Sequence, residues 1–143
     1  MKQFGSFSDA IRHGATLRGQ TRLALALNGR TCAIGAAGEA LGYDAEDLLS
    51  IGPEKILKRF PYMLTTYARC PLGCNTEHRY LGAVVAHLND SHFWARERIA
   101  DWLQEREDEL GFVTISVTEE SEATLNLKAE LSELGEMLQE VSV

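Results

Sequence analysis

Two cysteines and two histidines near the middle of the chain have the spacing of a metal site. The pattern is Cys-x3-Cys-x12-His-x4-His, which falls within the ligand spacing of Cys2His2 zinc sites. Thiolate and imidazole groups bind Zn2+ tetrahedrally, and four protein ligands leave no coordination position for water. We therefore predict one structural Zn2+ ion, whose ligands are Cys70, Cys74, His87 and His92.

The residues around the predicted ligands indicate how they are brought together. Pro71 and Gly73 favour a tight turn that directs both thiolates to one ion. The two histidines lie about a turn apart on a predicted helix, and a bent helix or one that ends between them still lets both reach the ion. Apolar side chains between the two pairs supply a small core under the metal; they are Tyr80, Val84 and Val85.

Neighbouring polar residues leave alternatives open. His78 is an alternative ligand in place of one of the two predicted histidines. Asn89 and Asp90 either accept a hydrogen bond from a ligating imidazole or cap a following helix that begins near Ser91.

DNA-binding zinc fingers share this spacing, but the residues that would read bases differ in this chain. If His87 is the seventh residue of the finger helix, the base-reading positions fall on Tyr80, Ala83 and Ala86. None of these side chains carries the charged or amide groups that distinguish base edges. One finger also makes too small a contact for specific binding. We therefore expect the finger-like module to be a structural support.

Enzymatic interpretations have weaker support in the sequence. Cys32 and a remote histidine would form a nucleophile and base only if the fold brought them together, and a buried free cysteine is commoner. A row of carboxylates at helical spacing could hold a hard cation, but nearby arginines favour surface ion pairs instead; the row is Glu97, Asp101 and Glu105. We predict that the protein is not an enzyme, and a hydrolase using zinc or Cys32 is the enzymatic alternative.

Length and composition indicate one domain, or one domain with an extended arm. Of the 143 residues, 45% are hydrophobic and 24% are charged, which excludes collagen-like, low-complexity and wholly disordered classes. No apolar run approaches the about 18 to 20 residues of a membrane span. The first residues lack the apolar segment of a secretory signal, and the chain has only three cysteines. We therefore expect a cytoplasmic protein in a reducing compartment.

Charge is divided unequally along the chain. Residues 1–100 contain 12 Lys and Arg against 9 Asp and Glu (+3), whereas residues 101–143 contain 2 against 12 (−10), which together give −7. The acidic part would repel nucleic acid. It suits a basic partner or a basic face on the first hundred residues of the same chain, or it is simply a solvated helix surface. The rival hypothesis is a nucleic-acid-associated regulator that uses a basic N-terminal part, with contacts from Arg12, Arg18, Arg22 and Arg30.

Periodicity and turn residues predict the remaining elements of the first 110 residues. Asn28 and Gly29 predict a tight β-hairpin, and Asp44 and Pro53 each begin a short helix. Small side chains in residues 32–41 let a helix that ends at Gly42 approach a neighbouring backbone closely. Helices are predicted at 8–19, 32–41, 46–51, 53–60 and 93–110. The last has an apolar face that we expect in the core, formed by Trp94, Ile99, Trp102 and Leu103.

The last third of the chain is predicted to bind a partner. Residues 112–118 alternate apolar and polar side chains, which predicts a strand. Residues 119–143 predict an acidic amphipathic helix with leucines at spacings of four and three, as in a coiled-coil seam. This helix would lie on its own domain, pair with a second copy or dock on another protein. The partner-binding residues are predicted to be Leu127, Leu131, Leu134 and Leu138.

Together these patterns predict an α+β, predominantly helical protein with a zinc-finger-like module inside a small single domain. We divide it into a helical N-terminal part at 1–66, the module and its following helix at 67–110, and a strand plus acidic C-terminal amphipathic helix at 111–143.

Three stretches of the chain resemble small bacterial and phage proteins of uncharacterised function. Residues 31–41 match their Cys-Ala-x-Gly-Ala-Ala segment, and residues 70–74 and 87–103 match their Cys-Pro-x-Cys and His-Leu-Asn-Asp-x-His module, although this chain has three residues between the cysteines. The resemblance covers about residues 8–105. It implies a small cytoplasmic protein of phage or mobile-element origin.

We therefore predict a zinc-stabilised regulatory or adaptor protein that acts on a host complex if the resemblance holds. Its partner is predicted to be a protein or a second copy, bound through the C-terminal helix. Nucleic acid is the less favoured partner, and no membrane partner is predicted.

Overall fold

Helices dominate the computed structural model, which describes residues 3–74 and 77–111. In chain order the elements are α1 (Phe7–Ala15), β1 (Ala26–Leu27), β2 (Arg30–Thr31), α2 (Ala33–Ala40), α3 (Ala45–Ser50), α4 (Pro53–Leu57), α5 (Tyr62–Thr65), β3 (Tyr67–Ala68), β4 (Arg79–Tyr80), α6 (Leu81–Asp90) and α7 (Arg96–Glu109). The strands form two antiparallel hairpins, β1 with β2 and β3 with β4. The predicted class, α+β and predominantly helical, is confirmed.

The predicted partner-binding segment lies outside the described residues. This applies to the strand at 112–118, to the helix at 119–143 and to its residues Leu127, Leu131, Leu134 and Leu138. By internal contacts the chain divides into two units, Met1–Phe112 and Val113–Val143. The division into 1–66, 67–110 and 111–143 stays a prediction.

Close packing of α1 on α2 explains the run of small residues in α2. A Cβ atom at Gly14 of α1 would lie 1.8 Å from the carbonyl oxygen of Ala36. A Cβ atom at Gly35 would lie 2.0 Å from the carbonyl oxygen of Leu25. Both distances are far below van der Waals contact, so backbone meets backbone at these two points. The predicted close approach of this helix to its neighbours is confirmed.

Turn and cap residues act as their types predict. Asn28 and Gly29 have φ of 51° and 77°, the left-handed conformation of a tight hairpin turn, and they join β1 to β2. Gly42 has φ of 115° just after α2. Asp44 accepts a hydrogen bond from the backbone N–H of Asp47 at 2.8 Å and caps α3. Pro53 is the first residue of α4.

Three predicted helices are shorter in the structure than the sequence indicated. α1 ends at Ala15 rather than 19, where the backbone N–H groups of Thr16 and Leu17 bond to the carbonyl oxygens three residues back instead of continuing the α-helical pattern. α4 ends at Leu57 rather than 60. α7 begins at Arg96 rather than 93, because Phe93 has φ of 48° and cannot continue a right-handed helix.

One hydrophobic core joins α1, α2, α6 and α7. The apolar face predicted for α7 packs into it, since Ile99 and Leu103 are fully buried and Trp102 is 8% exposed. Trp94 precedes α7 and packs against the edge of the core. Other fully buried members are Phe7, Ile11, Leu81, Val85 and Leu88.

Candidate metal centre

A hairpin followed directly by a helix holds the predicted ligands. In the β3–β4 hairpin, Tyr67 pairs with Tyr80 and Ala68 with Arg79, and α6 starts at the next residue, Leu81. The two cysteines lie in the connection between the strands, where Gly73 has φ of 71°. The local order of strand, cysteine turn, strand and helix is that of a ββα finger.

The ligand atoms of the four predicted residues converge. One ligand atom from each of them lies within 4.8 Å of all the others, and the residues are Cys70, Cys74, His87 and His92. The His92 Nε2 atom is 3.1 Å from Cys74 Sγ and 3.8 Å from Cys70 Sγ. Tetrahedral Zn2+ with bonds of about 2.3 Å to sulfur and about 2.0 Å to nitrogen separates those atoms by about 3.5 Å. The four residues are therefore close enough to hold a metal ion.

His87 carries an unused ligand atom. Its Nε2 is buried and has no hydrogen-bond partner among the described residues. A buried polar atom without a partner is costly in a protein interior, and a metal ion would satisfy it. Burial, followed by the proximity of His92 and Arg79, lowers the pKa of His87. The neutral imidazole, which is the form that binds metals, is thereby favoured.

The end of α6 lets the second histidine face the first. Residues five positions apart on a continuous helix are rotated by about 140° from each other, so His87 and His92 would diverge. The helix ends at Asp90 with Ser91 as its C-cap, and the chain beyond it returns toward the cysteines. The two imidazole rings lie 4.8 Å apart at 85°. Of the two possibilities considered for the histidine pair, the structure has a helix that ends between them.

Asn89 and Asp90 fix the metal-centre helix to the segment that precedes α2. Asn89 Oδ1 accepts hydrogen bonds from Gln20 Nε2 at 2.8 Å and from the N–H of Ala33 at 3.1 Å. Asn89 Nδ2 donates to the carbonyl oxygen of Thr21 at 2.9 Å. Asp90 Oδ1 accepts from the N–H of Leu23 at 2.8 Å. These hydrogen bonds neither reach a ligating imidazole nor cap a following helix, which were the two roles suggested for Asn89 and Asp90.

His78 is not a member of the converging group among the described residues. It is exposed and lines an open groove together with Tyr67 and Trp102.

The cysteines differ in environment. Cys70 is half-buried and its Sγ accepts a hydrogen bond from the N–H of Leu72 at 3.4 Å, whereas Cys74 is exposed. The cavity beside the ligands, lined by Cys70, Glu77, Arg79, Val84 and His87, has a volume of about 10 Å³. That is room for about one water molecule, so this cavity is too small to receive a substrate.

The position of α6 disfavours insertion into a DNA groove. α6 starts at Leu81, so His87 is its seventh residue and the base-reading positions are Tyr80, Ala83 and Ala86, as predicted. The helix also packs against neighbouring elements, which bury Val84, Val85 and Leu88. It therefore lies within the domain and presents no polar face with which to read bases.

Cys32 and two of the three carboxylates in the predicted row take part in structural contacts. Cys32 is the N-cap of α2, and its Sγ accepts from the N–H of Gly35 at 3.3 Å. Burial raises the pKa of Cys32, which disfavours the reactive thiolate. In the predicted carboxylate row, Asp101 pairs with Arg12 at 2.9 Å and Glu105 with Arg106 at 3.7 Å.

Two buried charged residues were not found by the sequence analysis. Glu107 is fully buried and accepts hydrogen bonds from the hydroxyls of Ser8 and Tyr62, both at 2.6 Å. Arg96 is 5% exposed and donates to the carbonyl oxygen of Arg18 at 2.6 Å and to Thr31 Oγ1 at 2.9 Å. Their partners are distant in the chain, so no local pattern indicated them.

Comparisons with known proteins give no family for this chain. No family model matches it, and neither a curated protein nor a solved structure is significantly similar to it. Among the described residues, no helix has both the length and the apolar content needed to cross a membrane.

Proposed function

We propose that the protein is a small, non-enzymatic adaptor whose finger-like module is held together by one structural Zn2+ ion. The observation that supports this most directly is the convergence of four ligand atoms within 4.8 Å. Two sulfurs and two nitrogens form the donor set, which suits Zn2+ better than Mg2+ or Ca2+ because the latter prefer oxygen. The ligands would be Cys70, Cys74, His87 and His92.

A structural role suits this centre better than a catalytic one. Four protein ligands complete a tetrahedral shell, whereas a catalytic zinc keeps a position for water or substrate. The cavity on the His87 side of the ligands holds about 10 Å³, which is too small for a substrate, and no predicted ligand other than Cys70 lines the larger open groove nearby. When bound, the ion would tie the hairpin to α6, and this coupling could contribute on the order of 10 kcal/mol to local folding.

The parts of the chain that are free to contact other molecules support an adaptor role. The finger helix is packed inside the domain, Cys32 caps α2, and Asp101 and Glu105 form ion pairs. The acidic residues 101–143, with 12 Asp and Glu against 2 Lys and Arg, suit a protein surface of opposite charge. We include in the proposal that the partner, or a second copy, binds through Leu127, Leu131, Leu134 and Leu138. That the protein is of phage or mobile-element origin and acts on a host complex is proposed from the sequence resemblance alone.

The nucleic-acid alternative loses two of its four predicted contacts. Arg12 pairs with Asp9 and Asp101, and Arg18 pairs with Glu39 at 2.8 Å. Both guanidinium groups are therefore engaged within the domain. Binding of DNA or RNA that weakens with salt and survives deletion of residues 119–143 would favour this alternative over the adaptor.

Native mass spectrometry of the purified full chain tests the metal centre. We expect one zinc per chain, lost in Cys74→Ser but kept in Cys32→Ser, because Cys32 caps α2 and belongs to no ligand group. Cys74 is exposed, so its substitution perturbs the apo fold little. Loss of metal should lower the thermal midpoint of Cys74→Ser to that of the chelated parent protein. A metal-free parent protein, or Cys74→Ser with full metal content, would contradict the proposal.

Subunit number and partner capture test the adaptor role in the same preparation. Leu131→Glu should change oligomer mass or partner binding without removing zinc, because it places a charge in the predicted leucine seam. A variant that lost zinc together with binding would instead indicate a general loss of structure.

A further inference from the structure

Two chain segments beside the metal centre are held against each other and expose apolar and basic side chains. Gln20 Nε2 donates to the carbonyl oxygen of Trp94 at 2.7 Å, and the N–H of Leu23 donates to Asp90 Oδ1 at 2.8 Å. The guanidinium carbon of Arg22 lies 5.5 Å from the centre of the Phe93 ring. We call the resulting surface the 22/93 patch; it consists of Arg22, Leu23 and Phe93, together with Arg98, which stacks on Trp94, the residue that follows Phe93.

The apolar members of the 22/93 patch are exposed in a strained backbone. Leu23 is 76% and Phe93 47% exposed, and their φ angles are 68° and 48°. Left-handed φ is disfavoured for residues with a Cβ, and such outliers concentrate at functional sites. The Asp90 side chain holds Leu23 in place by accepting a hydrogen bond from the backbone N–H of Leu23. The N–H of Trp94 bonds to the carbonyl oxygen of Leu88 at 3.0 Å. The fold thus fixes two apolar side chains outward at an energetic cost.

The basic members of the patch keep their hydrogen-bond donors available. Arg98 stacks on Trp94, with its guanidinium carbon 3.7 Å from the ring centre, and Arg22 lies over Phe93. No ion pair or side-chain hydrogen bond joins either guanidinium to another residue in 3–74 or 77–111. A stacked guanidinium leaves its N–H edge free for bidentate contact with a carboxylate.

We infer that the 22/93 patch is a docking surface for an acidic segment of a partner protein that carries an apolar side chain. Carboxylates of that segment would pair with Arg22 and Arg98, and its apolar side chain would cover Leu23 and Phe93. Exposed aromatic and arginine side chains beside each other are typical of the energetically dominant part of protein interfaces.

A protein partner fits the patch better than a nucleic acid. Leu23, the more exposed of the two apolar members, is aliphatic and gives a base no ring to stack on, which leaves Phe93 as the one ring that the patch offers. Nucleic-acid binding also needs several phosphate contacts, yet Arg12 and Arg18 are engaged within the domain. An acidic peptide needs only the two free guanidinium groups and the apolar pair.

This inference rests on the proposed adaptor role and names the chemistry of one partner. Its test distinguishes failure of the docking surface from failure of the proposed function. The probe is a fluorescent peptide of glutamates with interspersed leucines, titrated into the zinc-loaded full chain and followed by anisotropy. Comparison probes replace its leucines with serine, replace its glutamates with lysine, or use single-stranded oligodeoxythymidine. Metal content is measured on every sample.

We expect binding of the glutamate–leucine peptide that weakens with salt. Arg22→Glu and Leu23→Ser should each weaken it about tenfold or more, with metal content unchanged. The matched controls are Lys58→Glu and Leu49→Ser, an exposed lysine and a leucine that is 68% exposed elsewhere; they should change affinity less than twofold.

Four results would overturn the inference. They are no binding of the glutamate–leucine peptide, equal binding of its serine version, equal loss of affinity in the matched controls, and tighter binding of oligodeoxythymidine that Arg22→Glu abolishes. Absence of zinc from a parent protein that still binds the peptide would contradict the proposed metal centre and leave the docking surface standing.

Discussion

The side chain of Asn89 accepts a hydrogen bond at 3.1 Å from the backbone N–H of Ala33, the first residue of α2. The two residues are 56 positions apart in the chain. Because Asn89 follows the candidate ligand His87 on α6, this contact fixes the orientation of α6 relative to the start of α2. The same side chain also bonds to Gln20, Thr21 and Asp90, so one buried amide holds four backbone or side-chain groups.

We predict that Asn89→Ala destabilises the fold by about 2 to 3 kcal/mol, because it leaves the buried N–H of Ala33 and the carbonyl of Thr21 without their partner. The measurement is urea unfolding with zinc in excess. Asn89→Asp keeps the acceptor for Ala33 but loses the donors to Thr21 and to Asp90 Oδ1 and brings two carboxylates together, so its loss of stability should be at least as large as that of Asn89→Ala. Equal stability of Asn89→Ala and the parent protein would show that the amide fixes nothing.

Features decided by adjacent residues were the ones that sequence analysis predicted. The turn at Asn28 and Gly29, the cap at Asp44 and the start of α4 at Pro53 each depend on the conformational preferences of one or two residues. The convergence of the four predicted ligands was anticipated for a similar reason, since their spacing limits how they can be arranged.

Polar and backbone features decided by contacts between particular distant residues were not predicted. Glu107 resembles a solvated helix residue in the sequence, yet it bonds to Ser8 across 99 positions. The boundary of α7 was placed three residues early because the left-handed φ of Phe93 has no signature in its residue type. Such contacts depend on which segments the completed fold brings together.

A glycine in α1 gives a prediction in which two physical effects have opposite signs. Helix propensity alone would make Gly14→Ala stabilising by about 1 kcal/mol. A Cβ at Gly14 would, however, lie 1.8 Å from the carbonyl oxygen of Ala36, and separating α1 from α2 should cost about 2 to 3 kcal/mol. We therefore expect a net loss of stability on thermal unfolding. The control is Gly5→Ala, where a Cβ meets nothing within 4 Å and the change should be within about 0.5 kcal/mol; a stabilised Gly14→Ala would refute the close packing of the two helices.

The buried carboxyl of Glu107 gives a prediction about pH. Burial raises the pKa of Glu107 above its ordinary 4.5, although hydrogen bonds from Ser8 and Tyr62 oppose the shift. A pKa that is higher in the folded state means that folding favours the protonated form. The contribution of this group to stability is therefore complete below about pH 4.5 and is lost as pH rises through the folded-state pKa.

Glu107→Gln removes this titration while keeping the size of the side chain. The free energy of unfolding of the parent protein minus that of Glu107→Gln should fall as pH increases from below 4.5 toward neutrality. The comparison at each pH, with equal zinc, cancels the titration of other groups. A difference that rises with pH would mean that the hydrogen bonds to the carboxylate outweigh its burial, and that the folded-state pKa lies below the ordinary value.

Backbone strain at Leu23 predicts that a substitution stabilises the protein while it removes a contact surface. Leu23 has φ of 68°, which costs a residue with a Cβ roughly 1 kcal/mol and glycine almost nothing. Its side chain is 76% exposed, so little burial is lost on its removal, and the N–H that bonds to Asp90 is retained. Leu23→Gly should therefore raise the free energy of unfolding by about 0.5 to 1 kcal/mol in urea.

The matched control is Leu49→Gly, an exposed position inside α3, where glycine should lower stability by about 1 kcal/mol. If the free energy of unfolding rises in Leu23→Gly and falls in Leu49→Gly, the backbone conformation of Leu23 is one that stability alone does not favour. If it falls in both variants, the strain energy at Leu23 is smaller than its φ indicates.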